Sequence, residues 1–264
     1  MTSPIIIKQE TQADLGLSGS IILTNEERTL LRSGKVHRWH APHLCKPAGT
    51  GFSDSMDGAV SEAVFPANPF PIWGAESGPD SQPALSVTTV NNALWRSPDY
   101  GMPVENDLSG SWTVALVCKN GTPTNGCIFG IPGSTGDAIG FVSRSGSFIV
   151  STFSDTGSRS TKLSVATTDE LHFFVVSYDD DTGIITVHVD GVEEDDATYP
   201  FSLQSSKYTL FGTYDSGVAG NLTNTHCNNS ILASVMILEG AAANDNDLMA
   251  ALNAAAESRW PSLF

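Results

Sequence analysis

Apolar and polar residues alternate with a period of two through much of the chain, the pattern of a strand with one buried face. In "SWTVALVC" (111–118), Trp112, Val114, Leu116 and Cys118 alternate with Ser111, Thr113, Ala115 and Val117. "GFVSRSGSFIVSTF" (140–153) predicts two strands about a Ser-Gly turn. The clearest hairpin is "ELHFFVVSYDDDTGIITVHVDG" (170–191), two β-rich runs flanking Asp180-Asp181-Thr182-Gly183. Gly183 supplies the positive φ that a tight loop needs. In the second run Ile185, Val187 and Val189 face one side, and Thr186, His188 and Asp190 the other. "YTLFGTY" (208–214) and "SILASVMIL" (230–238) add two more strands.

The period changes only at the two ends. "LTNEERTLLRSG" (23–34) predicts a short helix, with Thr24 as N-cap, Glu27 as its capping-box partner, Gly34 as the stop, and Leu30 and Leu31 as a small apolar face. "NDNDLMAALNAAAESRW" (244–260) predicts a capped helix over 245–260 with Leu248, Leu252 and Ala255 or Ala256 on one face, stopped by Pro261. Short strands with frequent turns and helix only at the ends predict an all-β antiparallel sandwich. The division expected is an arm over 1–35 and one β domain over 36–264. "HFFVV" (172–176) and "ILASVMIL" (231–238) are apolar on both faces. A two-sheet sandwich buries one face of each strand, so the second needs a cover: the arm, the terminal helix or another subunit.

Composition agrees with this class. The 264 residues include 24 glycines and 14 prolines, 40% are hydrophobic, and only 16% are charged. Mean hydropathy is -0.05. The net charge of -16 repels phosphate backbones and anionic membranes, so neither nucleic acid nor a membrane is an expected partner. The start "MTSPIIIKQETQAD" lacks the basic end and longer apolar run of a signal peptide, which points to synthesis in a cytoplasm without the usual export route. No run approaches the roughly 18 apolar residues of a membrane span. Four cysteines do not make a disulfide framework at this length. Cys118 and Cys127 flank the loop "KNGTPTNG"; they either pair across a hairpin or stay reduced, the commoner state of a buried cysteine.

The hairpin resembles the signature of concanavalin A-like jelly rolls of the laminin-G-like type, in which a "W-H-x-V-x-x-x-Y-D" strand leads to one ending in "Y-V-D-G"; here the match is "LHFFVVSYDDDTGIITVHVDG". "YTLFG" is similar to that family's "l-x-i-G" strand. "SILASVMILEGAAANDNDLMAALNAAAESRW" is similar to its closing strand and terminal helix, and "HRWHAPHLC…GFSDSMDGAV" to its opening. The resemblance covers roughly residues 36–264. It implies an antiparallel jelly-roll β-sandwich with an N-terminal arm and a C-terminal helix, and says less about function, because this fold serves lectins, hydrolases, adhesion modules and viral shells.

In "VHRWHAPHLC" (36–45), His37, His40 and His43 recur every three residues, which raises the question of zinc. In the register the resemblance implies, "VHRWH" is the first strand. His37 and Trp39 then face one side, Arg38 and His40 the other, and Pro42 turns His43 away. A strand that alternates faces does not converge three imidazoles on one ion, so these are expected as strand-surface histidines and no enzyme centre. Hydrolases of this fold carry an E-x-D-x-E motif on one strand. Glu105 and Asp107 in "ENDLSG" come nearest, with Ser109 in place of the second Glu, so no enzyme activity is expected. Some members of the family hold calcium at the rim. The candidates here are Asp54 and Asp57 in "SDSMDG", and Asp179 to Asp181, each also explained by turn chemistry. Trp73, Trp95 and Tyr214 are candidates for stacking on a glycan, against plain packing.

The resemblance implies, and the separate arm and doubly apolar strands favour, a non-catalytic structural component of a virus particle: a bacteriophage appendage or decoration protein, made in the host cytoplasm and carried on the virion. Its expected partners are copies of itself (a trimer, from the resemblance), other virion proteins and a host surface glycan. Assembly would run through the arm, with Ile5, Ile6 and Ile7 adding to a sheet edge and Leu30 and Leu31 packing on a neighbour. The alternative is a soluble carbohydrate-binding lectin module.

Overall fold

The computed structural model describes residues 23–44, 51–53, 60–63, 72–74, 77–87, 95–96, 110–119, 126–131, 138–144, 146–153, 159–167, 170–198, 209–210 and 230–264. A short helix (Asn25–Arg32) precedes the strands β1 (Val36–His40), β2 (Gly51–Ser53), β3 (Val60–Ala63), β4 (Ile72–Gly74), β5 (Ala84–Val87), β6 (Trp95–Arg96), β7 (Trp112–Lys119) and β8 (Gly126–Ile131). There follow β9 (Ala138–Arg144), β10 (Ser147–Phe153), β11 (Arg159–Ala166), β12 (Leu171–Asp179), β13 (Ile184–Val189), β14 (Val192–Thr198), β15 (Thr209–Leu210), β16 (Ser230–Glu239) and a long helix (Asn246–Arg259).

The strands form two antiparallel sheets. The first runs β14-β13-β12-β7-β16-β5-β4, with β1 added on β16, and the second β11-β10-β9-β8-β15-β6-β3-β2. β1 and β5 share one edge of β16: β5 pairs with Ser230–Leu232 and β1 with residues 235–238. This is the all-β antiparallel sandwich with a C-terminal helix expected from the alternating pattern, and the jelly roll that the family resemblance implies.

Alternation builds the core between the sheets. Trp112, Val114, Leu116 and Cys118 of β7 join Phe174, Val176 and Tyr178 of β12 and face Phe129, Phe141, Phe148 and Val150 of the second sheet. Phe148 and Phe174 stack across the gap with ring centroids 4.1 Å apart. Gly183 takes φ 68° and its N–H donates to Asp179 O at 2.8 Å, closing the β12–β13 hairpin as its sequence predicts. The other hairpin read from sequence joins β9 and β10 through Gly146 at φ 75°.

The opposite faces of the same central strands make a second core. Ala115, Val117, Phe173, Val175, Ala233 and Met236 lie under Leu30, Leu31, Leu248, Leu252, Ala255 and Trp260 of the two helices. The doubly apolar strands are therefore covered from within the chain. Residues 23–35, expected as a separate arm, pack into the same unit as the sandwich. Thr24 Oγ1 and Ser258 Oγ are 2.8 Å apart, and Lys35 pairs with Asp245. No described helix is long and apolar enough to cross a membrane.

β2 to β6, β8, β11 and β14 are not predicted from the sequence, and β14 is the one whose residues carry almost no apolar pattern. Its sequence, VEEDDAT, is almost wholly exposed and acidic. It forms because Asp190 and Gly191, at φ 49° and 82°, make the tight primed turn that matches strand twist. Exposed carboxylates along this outer strand also discourage pairing with another chain.

Candidate functional site

Asp179 sits at the hairpin rim with its carboxylate already engaged: Oδ1 accepts from Asp181 N at 3.2 Å and Ser111 Oγ at 3.4 Å, and Oδ2 from Thr182 Oγ1 at 2.5 Å. The Thr182 hydrogen bond is the main reason its carboxyl lies below the usual range. Asp181 contributes its backbone N–H to this arrangement, and its side chain is exposed. Trp73 is half-buried on β4, packs against the first core, and donates from Nε1 to Pro42 O at 3.1 Å. Trp95 belongs to β6, paired with Leu210 and Ala63. Asp54, Asp57, Glu105, Asp107, Tyr214, Ile5, Ile6 and Ile7 lie outside the described residues, as does the side chain of Cys127. Cys118 is buried in the first core. Leu30 and Leu31, expected to meet a neighbouring subunit, are buried in this chain's own second core.

The three histidines are not strand-surface residues. His37, His40 and His43 are all buried, because β1 is closed in along its whole length. They diverge: His37 Nε2 lies 3.7 Å from Glu239, and His43 Nε2 lies 3.6 Å from Glu27. Among the described residues no group of three or more His, Cys, Asp or Glu is placed to hold a metal ion.

Where the helices meet the sheet, the sequence concealed a buried polar knot. Glu27 closes its capping box by accepting from Thr24 N at 2.7 Å, and its two oxygens accept from Arg259 Nε at 2.8 Å and Nη2 at 2.6 Å. Burial alone would raise its carboxyl, but the approach of His43 and the hydrogen bonds and charge of Arg259 hold it down to about 2. The His43 ring lies edge-on to Trp39 and Trp260, 5.7 Å from each. Trp39 Nε1 donates to Ser234 Oγ at 3.0 Å.

Of the four broad faces of the sandwich, two form the first core and the helices seal the outside of the first sheet. The outside of the second sheet remains. Its cross-strand register resolves into rows of opposite character. Leu163, Val150, Phe141, Phe129, Leu210, Trp95 and Ala63 are successive partners, and all are apolar. The adjoining row reads Thr161, Ser151, Gly140, Gly130, Thr209, Arg96, Glu62 and Gly51, with no apolar side chain larger than glycine's hydrogen. Leu163, Val150, Phe141 and Phe129 of the first row are core residues, so Ser151, Gly140 and Gly130 beside them fall on the outer face, and the remaining positions of the second row continue their register. It crosses eight strands, roughly 34 Å at ordinary strand spacing. Gly130, Gly140 and Ser151 at its middle are buried, and paired glycines inside strands mark a place where backbone or ligand approaches closely. Trp95 falls in the apolar row, beside core residues rather than in the polar one. Strand glycines in "CIFGI" and "AIGF" are visible in the sequence, but their alignment depends on the cross-strand register, which no local pattern gives.

No protein-family model and no curated protein sequence matches the chain. Its fold matches solved binding domains. It resembles the binding domain of Paraclostridial Mosquitocidal Protein 1 with a TM-score of 0.56 and 10% identity, over 84% of this chain and 52% of that one. The botulinum neurotoxin type G receptor-binding domain matches with a TM-score of 0.55 and 6% identity, over 83% of this chain and 51% of that one. A botulinum neurotoxin type C structure matches with a TM-score of 0.54 and 9% identity, over 84% and 51%. The chain thus spans about half the length of the structures it matches, and at these identities the likeness is one of fold.

Proposed function

We propose that the chain is a non-catalytic binding module that takes a glycan along the polar row of its second sheet. The observation that carries this reading is the pairing of that row with a fold shared by binding domains. The type C neurotoxin is described as dependent on interaction with two ganglioside molecules, and the similar type DC domain was solved in complex with SialylT. Gly130, Gly140 and Ser151 are buried at the middle of the row, so the sugar is assigned to its Arg96–Glu62 end, whose two residues are the row's richest in hydrogen-bonding groups. A glycan array probed with the full chain, with and without calcium, tests the reading. Saturable binding to a defined glycan class supports it; signal no higher than for a heat-denatured sample on every glycan refutes it.

A second reading, an assembly component of a bacteriophage particle, rests on the sequence of residues 1–22. Three consecutive isoleucines, Ile5 to Ile7, precede the described residues in sequence and suit addition to a sheet edge of a neighbouring copy or another virion protein. Native mass spectrometry tests it: a defined oligomer, trimeric in the favoured form, that becomes monomeric without residues 1–22 supports it, and a monomer in both cases overturns it.

A further inference from the structure

We propose that His43, Glu27 and Arg259 form an acid-released latch, which holds the short helix on the sheet while His43 is neutral and lets it go when His43 takes a proton. His43 is fully buried, and neither ring nitrogen has a hydrogen-bond partner among the described residues. In the neutral state the ring serves as an apolar plate between Trp39 and Trp260. Once protonated, it is a fully buried cation with two donors, of which Nδ1–H has no acceptor among the described residues. The charged groups facing it are Glu27 from the short helix and Arg259 from the long one; Trp39 and Trp260 supply only rings. Glu27 Oε1 lies 3.6 Å from Nε2, outside ordinary hydrogen-bond distance, and accepts from Arg259 Nε, while Oε2 accepts from Arg259 Nη2 and Thr24 N. A second cation therefore arrives where one carboxylate is already matched to one guanidinium.

Relief comes most readily by moving the short helix. It has 8 residues, too few to persist in isolation, and docks through Leu30, Leu31 and this polar knot. A water-sized cavity beside the knot, lined by Glu27, Leu30, Ser234, Met236, Leu252 and Trp260, is the opening through which solvent reaches the ion pair as the helix lifts. Burial pushes the His43 imidazole below its ordinary value; Glu27 pulls it back and Arg259 adds to the fall. The undocked ring, ordinary near pH 6.5, then binds a proton that the docked ring refuses, so docking is fully favoured above that pH and weakens below it. Glu27 acts in the same direction, but only below pH 4.5, where its undocked carboxyl begins to protonate.

Hydrogen exchange of the full-length chain, corrected for intrinsic rates, tests the latch at pH 7.5 and pH 5.0. The amides of Asn25–Arg32 are expected to lose about tenfold or more protection at pH 5.0, a tenfold change in the opening constant being the effect of one decade in proton affinity. β7, at the centre of the first sheet, keeps its protection. His43→Phe, which retains the edge contacts, abolishes the acid loss, whereas His188→Gln, on β13, leaves it intact. Equal protection at both pH values, or an undiminished loss in H43F, overturns the latch. Should H43F fail to fold, proton NMR of the wild-type chain decides: His43 titrating together with helix opening supports the latch, and opening without His43 titration overturns it.

Discussion

Arg259→Met is the perturbation that most sharply probes how the two chain ends are joined. It removes the guanidinium, keeps much of the side-chain stem, and leaves Glu27 as a carboxylate 1% exposed with no cation bonded to it. The folded-state carboxyl is held at about 2 against 4.5 for the free side chain by His43 and Arg259 together, so Arg259 supplies part of that gap. Taking one partner out of a buried ion pair costs about 3–5 kcal/mol, and about 3 kcal/mol is expected here because Thr24 N still bonds the carboxylate. In thermal melts this is a fall in Tm on the order of 6–12 °C for a chain of this size. Urea denaturation of wild type, R259M, E27Q and the E27Q/R259M double variant gives the coupling. The neutral amide that E27Q introduces still accepts from Thr24 N, so the double variant recovers most of the loss. An R259M cost below about 1 kcal/mol, the range of a solvated surface pair, would refute the reasoning, as would a double variant no more stable than R259M.

Three further outcomes follow from the same geometry. Because the folded carboxyl of Glu27 is depressed, its contribution is complete above pH 4.5 and is lost as pH falls towards about 2; denaturant melts across that window show the slope in wild type and a shallower one in E27Q. Thr24→Ala removes the hydroxyl that accepts from Glu27 N at 3.1 Å and costs about 1 kcal/mol, seen as faster exchange of the short helix before the sheets. Phe174→Ala removes the ring stacked on Phe148 and costs about 3–5 kcal/mol in global unfolding, whereas a cost below about 1 kcal/mol would mean that the two sheets are not packed through it.

How far the sequence could be read follows from how local each cause was. β13 was legible because its apolar residues alternate with polar ones, β7 and β12 because they are β-rich apolar runs, and the short helix because Thr24 and Glu27 carry a capping box within four residues. β14 was illegible by apolar pattern: its acidic residues bury almost nothing, and its pairing comes from the Asp190–Gly191 turn. Glu27 reads locally as a capping residue, yet its second role depends on Arg259, 232 positions away, which no local rule links to it. The apolar second faces of β12 and β16 announced that a cover was needed; that the cover is the chain's own helices was decided by tertiary packing. Alternation places His37, His40 and His43 on or beside a solvated strand because it carries no information about what closes over both faces.

The polar row is the part of the account that bears directly on function, and calorimetric titration of the tightest array glycan into wild type and the Arg96→Ala/Glu62→Ala double variant tests it most directly. Wild type is predicted to bind, and the double variant to lose about tenfold or more, as for removal of one good polar contact worth about 1.4 kcal/mol, with its melting temperature unchanged. Equal affinity in the two proteins would contradict the assignment of the ligand to that row.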